Sequence, residues 1–262
     1  MQEIIKVAED AARKAGAYII EAMSCLRQVD YKGRVDMVTN VDRGSEAIIL
    51  ECIRRVYPEH AILAEETGDN QLCSDWRWVI DPIDGTTNFV HGYPFFCVSI
   101  AVQFRQQTVA AVVFDPVHDE LFSALLGQGA FLNGEPLRVS QTTELSKALL
   151  ATGFPYDLGD RWDRSMDYFK LFYYQTHGVR RDGAAALDLC YVAAGRFDGF
   201  WEYDLKPWDV AAGMLLVTEA GGKITDFKGK PSALGDGQLV ASNGGLHDRM
   251  LEVIDSLPAV QV

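Results

Sequence analysis

Three apolar runs between residues 98 and 126 place the strongest constraint on the fold. They read VSIAVQF, TVAAVVFDP and ELFSALL, and polar or turn-forming residues at 106–107 and Pro116 separate them. Short segments that alternate apolar with polar residues between turn signals are typical of adjacent β-strands. The sequence therefore predicts an antiparallel sheet over residues 93–125, followed by a glycine-rich hairpin at 127–137.

Helical periodicity dominates the chain before this sheet. Apolar residues recur every three or four positions over 2–25 and 43–57, and Pro58 ends the second of these segments. The next apolar runs, at 60–66 and 76–82, are predicted as strands that end in carboxylates. A short extended piece is predicted at 36–42.

Strands and helices alternate in the rest of the chain. Strands are predicted at 147–154, 178–183, 198–203 and 223–227, and helices at 161–177, 184–195 and 208–220. The predicted fold class is α+β, with an antiparallel sheet in the first half and a mixed α/β second half. We place a lobe boundary near residue 140, giving lobes of residues 1–140 and 141–262.

Charge and cysteine usage disfavour several classes of protein and of binding site. The net charge of −13 disfavours a nucleic-acid-binding surface as the main role. The five cysteines are scattered without C-x-x-C spacing, which disfavours a disulfide framework or a zinc site. The acidic N-terminus does not resemble a signal peptide, and no apolar run has membrane-spanning length. These features predict a soluble cytoplasmic protein without a membrane partner.

Acidic residues stand where the predicted elements begin or end. They are Asp42, Glu65, Asp81, Asp84 and Asp209. Each alone has a simpler explanation, such as turn chemistry at Asp84 or a helix N-cap at Asp209. Together they follow apolar or aromatic neighbours and could converge on one cleft. Oxygen ligands without nearby histidine or cysteine point to Mg²⁺ or Mn²⁺ rather than zinc.

The stretch DPIDGTT (81–87) contains the other parts of a phosphate site. Pro82 restricts Asp81 to an extended conformation, and the Ile83 carbonyl could add a metal-binding oxygen. Gly85 allows close backbone approach, and N–H groups of residues 85–87 could hold a phosphate. The Thr86 hydroxyl could align a water molecule whose proton passes to Asp42 or Glu65. These parts favour metal-assisted hydrolysis of a phosphate ester.

Rival phosphate-handling motifs fail on single residues. The D-x-D-G-T loop of haloacid-dehalogenase-like phosphatases would need its nucleophilic aspartate two residues before Asp84, where Pro82 stands, and Asp81 is one residue too far away, which disfavours a covalent route. A P-loop is excluded by Val217 and Ile224, which replace its first glycine and its final serine or threonine. No G-x-S-x-G or H-E-x-x-H sequence is present.

The motifs AEET (64–67), WVIDPIDGTTNFVHG (78–92) and KPWDVAAGMLLVTEAGG (206–222) resemble those of the inositol monophosphatase family of Mg²⁺-dependent, Li⁺-sensitive phosphatases. The resemblance spans nearly the whole chain. It implies a homodimer with a layered α-β-α-β-α sandwich of the sugar-phosphatase type. It also implies two or three Mg²⁺ ions per site, with Mn²⁺ as a possible substitute.

The resemblance assigns roles to individual residues. The implied metal ligands are Glu65, Asp81, Ile83 through its carbonyl, Asp84 and Asp209; the implied catalytic residues are Thr86, Asp42 and Glu65. The implied substrate contacts are Gly85 and Thr86 at the phosphate, and Gly183, Ala184, Ala185 and Glu202 at the polyol. Most ligands thus fall in the first predicted lobe, and Asp209 and the specificity residues fall in the second. Ala184 departs from the family pattern because it lacks a hydroxyl group.

The expected activity is Mg²⁺-dependent hydrolysis of small polyol phosphate monoesters by a metal-activated water, with inositol 1-phosphate as the first candidate substrate. Alternatives within the superfamily are phosphatases for fructose 1,6-bisphosphate, 3′-phosphonucleotides, histidinol phosphate or NADP. A non-enzymatic regulatory binding protein is a third hypothesis, and the intact set of acids argues against it.

Overall fold

A computed structural model describes residues 1–23, 29–31, 37–156 and 158–257. Its helices are α1 (Gln2–Met23), α2 (Asn40–Val56), α3 (Thr86–His91), α4 (Asp160–Gln175), α5 (Ala185–Ala193), α6 (Pro207–Glu219) and α7 (His247–Asp255). Its strands are β1 (Val29–Tyr31), β2 (Met37–Thr39), β3 (Ala61–Ala64), β4 (Gly68–Asp69), β5 (Trp76–Asp84), β6 (Cys97–Phe104), β7 (Gln107–Asp115), β8 (Glu120–Leu125), β9 (Ala130–Leu132), β10 (Glu135–Pro136), β11 (Leu149–Thr152), β12 (Gly178–Arg180), β13 (Gly199–Tyr203), β14 (Lys223–Thr225) and β15 (Gln238–Ser242).

Two larger sheets organise the described part of the chain. The first has eight described strands in the order β10-β9-β8-β7-β6-β5-β3-β4, and only β3 and β5 run parallel within it. The second has five described strands in the order β12-β11-β13-β15-β14, and β11 runs parallel to both of its neighbours. The predicted antiparallel sheet and mixed second half are therefore confirmed. The strands β1 and β2 form a separate antiparallel pair.

Helices cover both faces of each sheet. Helices α1 and α2 pack on one face of the large sheet, where Ile49 and Ile53 join Trp78 and Ile100 in one buried cluster. Helices α5 and α6 lie between the sheets and share a cluster with strand residues from both. Helices α4 and α7 cover the far face of the second sheet, where the ring centres of Phe172 and Trp201 lie 4.2 Å apart. The layers follow the predicted α-β-α-β-α order.

Small residues allow the two central helices to pack closely. A Cβ atom added to Gly213 of α6 would lie 2.5 Å from the Leu189 side chain of α5. Alanine and glycine therefore set the spacing of the middle layer. The cluster around these helices draws residues from both halves of the chain, and the lobe boundary near residue 140 stays a prediction.

Helix α2 starts three residues before the predicted position. Thr39 caps it: the Thr39 hydroxyl oxygen accepts N–H bonds from Val41 and Asp42, and the Asp42 carboxylate accepts the Thr39 N–H at 2.8 Å. This reciprocal capping box accounts for the early start. Helix α1 ends at Met23, and positions 24 and 25 of its predicted span lie outside the described residues. Within the described residues, no helix combines the length and apolar character needed to cross a bilayer.

Candidate active site

A cavity of about 290 Å³ gathers almost all the predicted site residues. The predicted members that line it are Glu65, Asp81, Ile83, Asp84, Gly85, Thr86, Gly183, Ala184, Ala185, Glu202 and Asp209. The remaining one, Asp42, reaches the site through a hydrogen bond to Thr86. The fold thus brings together residues that are more than 140 positions apart in the sequence.

A bulge at the end of β5 aims its two aspartates to the same side. Asp81 pairs with Ser99 of β6, whereas Asp84 pairs with Cys97, so β5 contains one extra residue between these pairs. Residues two apart in a strand share a face, and the extra residue therefore gives Asp81 and Asp84 the face shared by Ser99 and Cys97. The Asp81 carboxylate also accepts the Ile83 N–H at 3.0 Å, which fixes the turn.

Gly85 allows the chain to turn sharply after the bulge. Its φ of 93° lies in the left-handed region, and an added Cβ would lie 2.9 Å from the Phe95 carbonyl oxygen and 3.2 Å from the Ala184 Cβ. A side chain at this position would therefore be strained and would collide with the wall of the site. The turn places Thr86 at the start of the short helix α3.

Thr86 and Asp42 form a hydrogen-bonded pair. The Thr86 hydroxyl lies 2.8 Å from Asp42 Oδ1 and 3.0 Å from the Ile83 carbonyl oxygen, so it can donate to either acceptor. The other carboxylate oxygen of Asp42 accepts bonds from the Thr39 N–H and hydroxyl at 2.8 and 2.6 Å. Burial raises the pKa of Asp42, and these hydrogen bonds from Thr39 and Thr86 oppose the rise. The capping box of α2 therefore orients the carboxylate toward Thr86.

The carboxylates lie within range of one another's charge. Burial raises the pKa of Asp81 well above its ordinary value, and the charges of Glu65, Asp84 and Asp209 raise it further. Burial raises the pKa of Asp84 to about 7. The Ala186 N–H donates to the Asp84 carboxylate at 2.6 Å and lowers this pKa, because it stabilises the ionised form. Buried like charges repel one another, and a cation placed among them would relieve the cost.

The donor chemistry of the cavity fits a hard cation. Its described lining offers six carboxylates and the Ile83 carbonyl, with no histidine or cysteine among them. Mg²⁺ and Mn²⁺ prefer such oxygen ligands. In the described chain, no three histidine, cysteine, aspartate or glutamate side chains already form a compact cluster of metal-ligand geometry. The carboxylates therefore line the same cavity, but among the described residues their side chains are not close enough together to form a complete metal-binding cluster.

Asp209 occupies the first turn of α6 rather than its N-cap. Lys206 is the capping residue, Pro207 follows it, and the Asp209 carboxylate accepts the Lys206 N–H at 2.7 Å. The simpler explanation, that Asp209 is the helix N-cap, is therefore wrong, because Lys206 occupies that position. A carboxylate in the first helical turn is favoured by the helix dipole and remains part of the cavity wall.

The second sheet supplies the other wall of the cavity. Glu202 of β13 lies against Gly153, where an added Cβ would come within 2.1 Å of a Glu202 carboxylate oxygen. Burial raises the pKa of Glu202 to about 8, while the nearby Arg181 charge opposes the rise. Gly183 has a φ of 89°, which gives the turn before α5 its left-handed residue.

Sequence reasoning missed several residues of this wall. Gly153 and Arg181 line the cavity, and Asn88 ties its two sides together by donating to the Phe95 and Asp182 carbonyl oxygens at 2.7 Å each. Arg181 stands two positions before the recognised turn residue Gly183, which is the available signal for it. Gly153 is marked only by its place at the end of a predicted strand.

Similarity to known proteins extends over nearly the whole chain. Residues 1–259 match the profile of the inositol monophosphatase family. The chain is 44% identical over 98% of its length to an inositol-1-monophosphatase of Synechocystis, covering 91% of that protein. It is 47% identical to the Nus factor SuhB of Pseudomonas aeruginosa, over 97% of this chain and 96% of the relative.

A solved structure extends the similarity to three dimensions. The inositol monophosphatase from Anabaena superposes with a TM-score of 0.87 and 42% identity, covering 99% of this chain and 98% of the Anabaena chain. A match of this quality over nearly the full length of both chains supports the layered fold described above.

Proposed function

The chain belongs to the inositol monophosphatase family of phosphoric monoester hydrolases, and on that premise we propose that it is a Mg²⁺-dependent phosphatase of small polyol phosphates. Inositol 1-phosphate is the first candidate substrate. The observation that carries the proposal is the cavity that combines Asp81, Asp84 and Asp209 with the Thr86–Asp42 pair. Acids and a positioned hydroxyl are the groups that metal-assisted hydrolysis requires.

The family is generally metal-dependent, and the proposed ligands here are all oxygen donors. Glu65, Asp81, Asp84, Asp209 and the Ile83 carbonyl would hold two or three Mg²⁺ ions, for which Mn²⁺ could substitute. Cations bound there would polarise the phosphate and lower the pKa of a bound water. Burial and the charges of neighbouring carboxylates both raise the pKa of Asp81, which supports a role in binding positive charge.

The Thr86–Asp42 pair would orient the attacking water. When the Thr86 hydroxyl donates to Asp42 at 2.8 Å, its oxygen can accept a hydrogen bond from water in the cavity. The water's lone pair would then face the phosphorus, and its proton would pass to this pair or to Glu65. Asp42 cannot rotate freely because Thr39 holds its other oxygen.

The remaining cavity residues support a polyol monoester as substrate. Backbone N–H groups at Gly85 and Thr86 would contact the phosphate, and the turn at Gly183–Ala185 together with Glu202 would contact the polyol hydroxyls. Arg181 and Lys206 also line the cavity and could bind a second anionic group. This pair of cations favours those alternative substrates that carry a second phosphate group, namely fructose 1,6-bisphosphate, a 3′-phosphonucleotide or NADP, over histidinol phosphate.

A panel of phosphate esters tests the proposed activity. Phosphate release would be measured with Mg²⁺, with Mg²⁺ and Li⁺, and with EDTA, using inositol 1-phosphate, fructose 1,6-bisphosphate, a 3′-phosphonucleotide, histidinol phosphate and NADP. We expect Mg²⁺-dependent, Li⁺-inhibited release, fastest from inositol 1-phosphate. If folded protein releases phosphate from none of the esters, the proposal fails. The regulatory binding role then becomes the working hypothesis, for which the Nus-factor name of the Pseudomonas relative provides the starting point.

We also propose a cytoplasmic homodimer. The described cysteines Cys52, Cys73, Cys97 and Cys190 are free thiols, which fits a reducing compartment. Exposed apolar side chains of the kind covered at subunit interfaces occur at Tyr156, Leu158, Tyr173 and Tyr174. Light scattering should give twice the chain mass for wild type and a lower mass for Tyr174→Glu; a monomeric wild type would contradict the dimer.

A further inference from the structure

Three buried polar residues share one face of helix α2. Asp42, Ser45 and Glu46 are spaced as i, i+3 and i+4, and each is 0–1% exposed. We call these residues the polar face of α2. Burying a hydroxyl and two carboxyls is costly unless each finds hydrogen-bond partners. The partners therefore indicate what this face holds in place.

Each residue of the polar face of α2 binds a different segment of the candidate site. Asp42 accepts the Thr86 hydroxyl at the start of α3. The Ser45 hydroxyl donates to the Pro82 carbonyl oxygen at 2.9 Å, between Asp81 and Ile83. Glu46 contacts the turn that follows Glu65. One rigid helix thus fixes three segments that carry proposed ligands or the proposed water-orienting hydroxyl.

The contact made by Glu46 uses both of its carboxylate oxygens. One oxygen accepts the Glu66 N–H at 2.8 Å, and the other accepts the Thr67 N–H at 3.0 Å. On the other side of the turn, the Glu65 N–H donates to the Ile80 carbonyl oxygen at 3.1 Å. The backbone that carries Glu65 is therefore held on both sides, by β5 and by α2. Charge-assisted bonds of this kind are stronger than neutral ones and define a direction.

We propose that Ser45 and Glu46 are positioning residues for the metal site, with Glu46 setting the place of Glu65 and Ser45 that of the Asp81–Ile83 segment. The inference rests on the proposed function, because it takes Glu65, Asp81 and Ile83 as ligands. Neither Ser45 nor Glu46 lines the cavity, so both act through the backbone that they hold. Some residues orient metal ligands by hydrogen bonds without contacting the metal themselves. Replacing such a residue typically lowers metal affinity or activity by about 10–100-fold.

Glu46→Gln tests this role with little change in shape. The amide retains one acceptor oxygen, but its NH₂ group would face the second backbone N–H and leave it without a partner. Glu51→Gln is the matched control, because Glu51 is an exposed glutamate on the same helix. Mn²⁺ affinity is measured without substrate by the loss of the free Mn²⁺ signal in electron paramagnetic resonance. We expect affinity to fall about 10-fold or more in Glu46→Gln and to stay within about twofold in Glu51→Gln.

Enzyme kinetics separate positioning from a purely structural role. At saturating Mg²⁺, Glu46→Gln should recover most of the wild-type kcat and keep its KM for inositol 1-phosphate, while the Mg²⁺ concentration for half-maximal activity rises with the loss of Mn²⁺ affinity. A purely structural role would lower the melting temperature and leave the Mn²⁺ affinity of the folded fraction unchanged. That result would overturn the proposal.

A second variant keeps the proposal testable if Glu46→Gln does not fold. Ser45→Ala removes only the bond to the Pro82 carbonyl, and we expect several-fold weaker Mn²⁺ binding from it. An unchanged affinity in Ser45→Ala would then overturn the proposal. If wild type itself binds no Mn²⁺, the proposed function fails instead, so the two failures are distinguishable.

Discussion

Replacing Asp84 with asparagine should stabilise the metal-free protein and remove most of its phosphatase activity. Burial raises the pKa of Asp84 from 3.8 to about 7. The hydrogen bond from the Ala186 N–H lowers this pKa, and the charge of Glu65 raises it further. An ionised carboxylate in that position costs about 4 kcal/mol. Because Asp84 is partly exposed, solvent screening reduces this to about 2 kcal/mol. Asparagine removes the charge, and its side-chain oxygen can still accept the Ala186 N–H.

The sign of the effect depends on pH and on the metal. A carboxyl whose pKa is raised in the folded state contributes its full stability below its unfolded pKa and loses it as the pH rises through the folded value. With EDTA at about pH 8, Asp84→Asn should therefore be more stable than wild type by about 2 kcal/mol, or about 4–8 °C in melting temperature. At about pH 4 the two proteins should differ little, because Asp84 is then largely protonated in the folded state.

Thermal melting with and without Mg²⁺ measures both halves of this prediction. Saturating Mg²⁺ should raise the melting temperature of wild type more than that of Asp84→Asn, because the variant has lost a proposed ligand. Its turnover of inositol 1-phosphate should fall by about 100-fold or more. Glu59→Gln, an exposed glutamate outside the cavity, is the control. A variant that is less stable than wild type in EDTA at about pH 8, or that keeps its turnover, would refute the reasoning.

Other substitutions probe separate parts of the site and the fold. Gly153→Ala should raise the KM for inositol 1-phosphate, because its Cβ would displace Glu202; an unchanged KM would contradict the role of that wall. Thr86→Val should lower kcat by about 100-fold with Mn²⁺ affinity retained, because it removes the hydroxyl bound to Asp42; wild-type kcat would exclude Thr86 from catalysis. Burial lowers the pKa of His247 to about 4, so the folded state loses stability as the pH falls below about 6.5. Urea titrations should show that the free energy of unfolding decreases between about pH 7 and pH 5 by about 2 kcal/mol less in His247→Gln than in wild type. Equal decreases in the two proteins would refute this prediction.

Local patterns predicted most of the elements because each pattern is short-range. The alternating runs became β6, β7 and β8. The first turn lies at Arg105 and Gln106, one residue before its predicted place, because Gln107 already belongs to β7; the second lies between Asp115 and Glu120. Helix α7 was missed although Met250, Val253 and Ile254 show helical spacing. Strand β15 was missed because a five-residue run between glycines does not distinguish a strand from a loop.

The candidate site was predictable in its membership but not in its geometry. The residue types of DPIDGTT indicate metal and phosphate chemistry, yet the bulge that aligns Asp81 with Asp84 depends on pairing with β6. The Ala186 N–H that binds Asp84 comes from 102 positions away in the sequence. Glu46 showed no signal either, because its role depends on two backbone N–H groups of a distant turn. Long-range contacts of this kind become visible only in the folded chain.

Phosphate release from inositol 1-phosphate as a function of Mg²⁺ concentration tests the central claim most directly. The measurement is made in ¹⁸O-labelled water, with Asp84→Asn alongside wild type. We expect saturable Mg²⁺ activation of wild type, one labelled oxygen in each phosphate released in a single turnover, and little release from the variant. Release that persists in EDTA, or phosphate without the label, would contradict hydrolysis by a metal-activated water in this cavity.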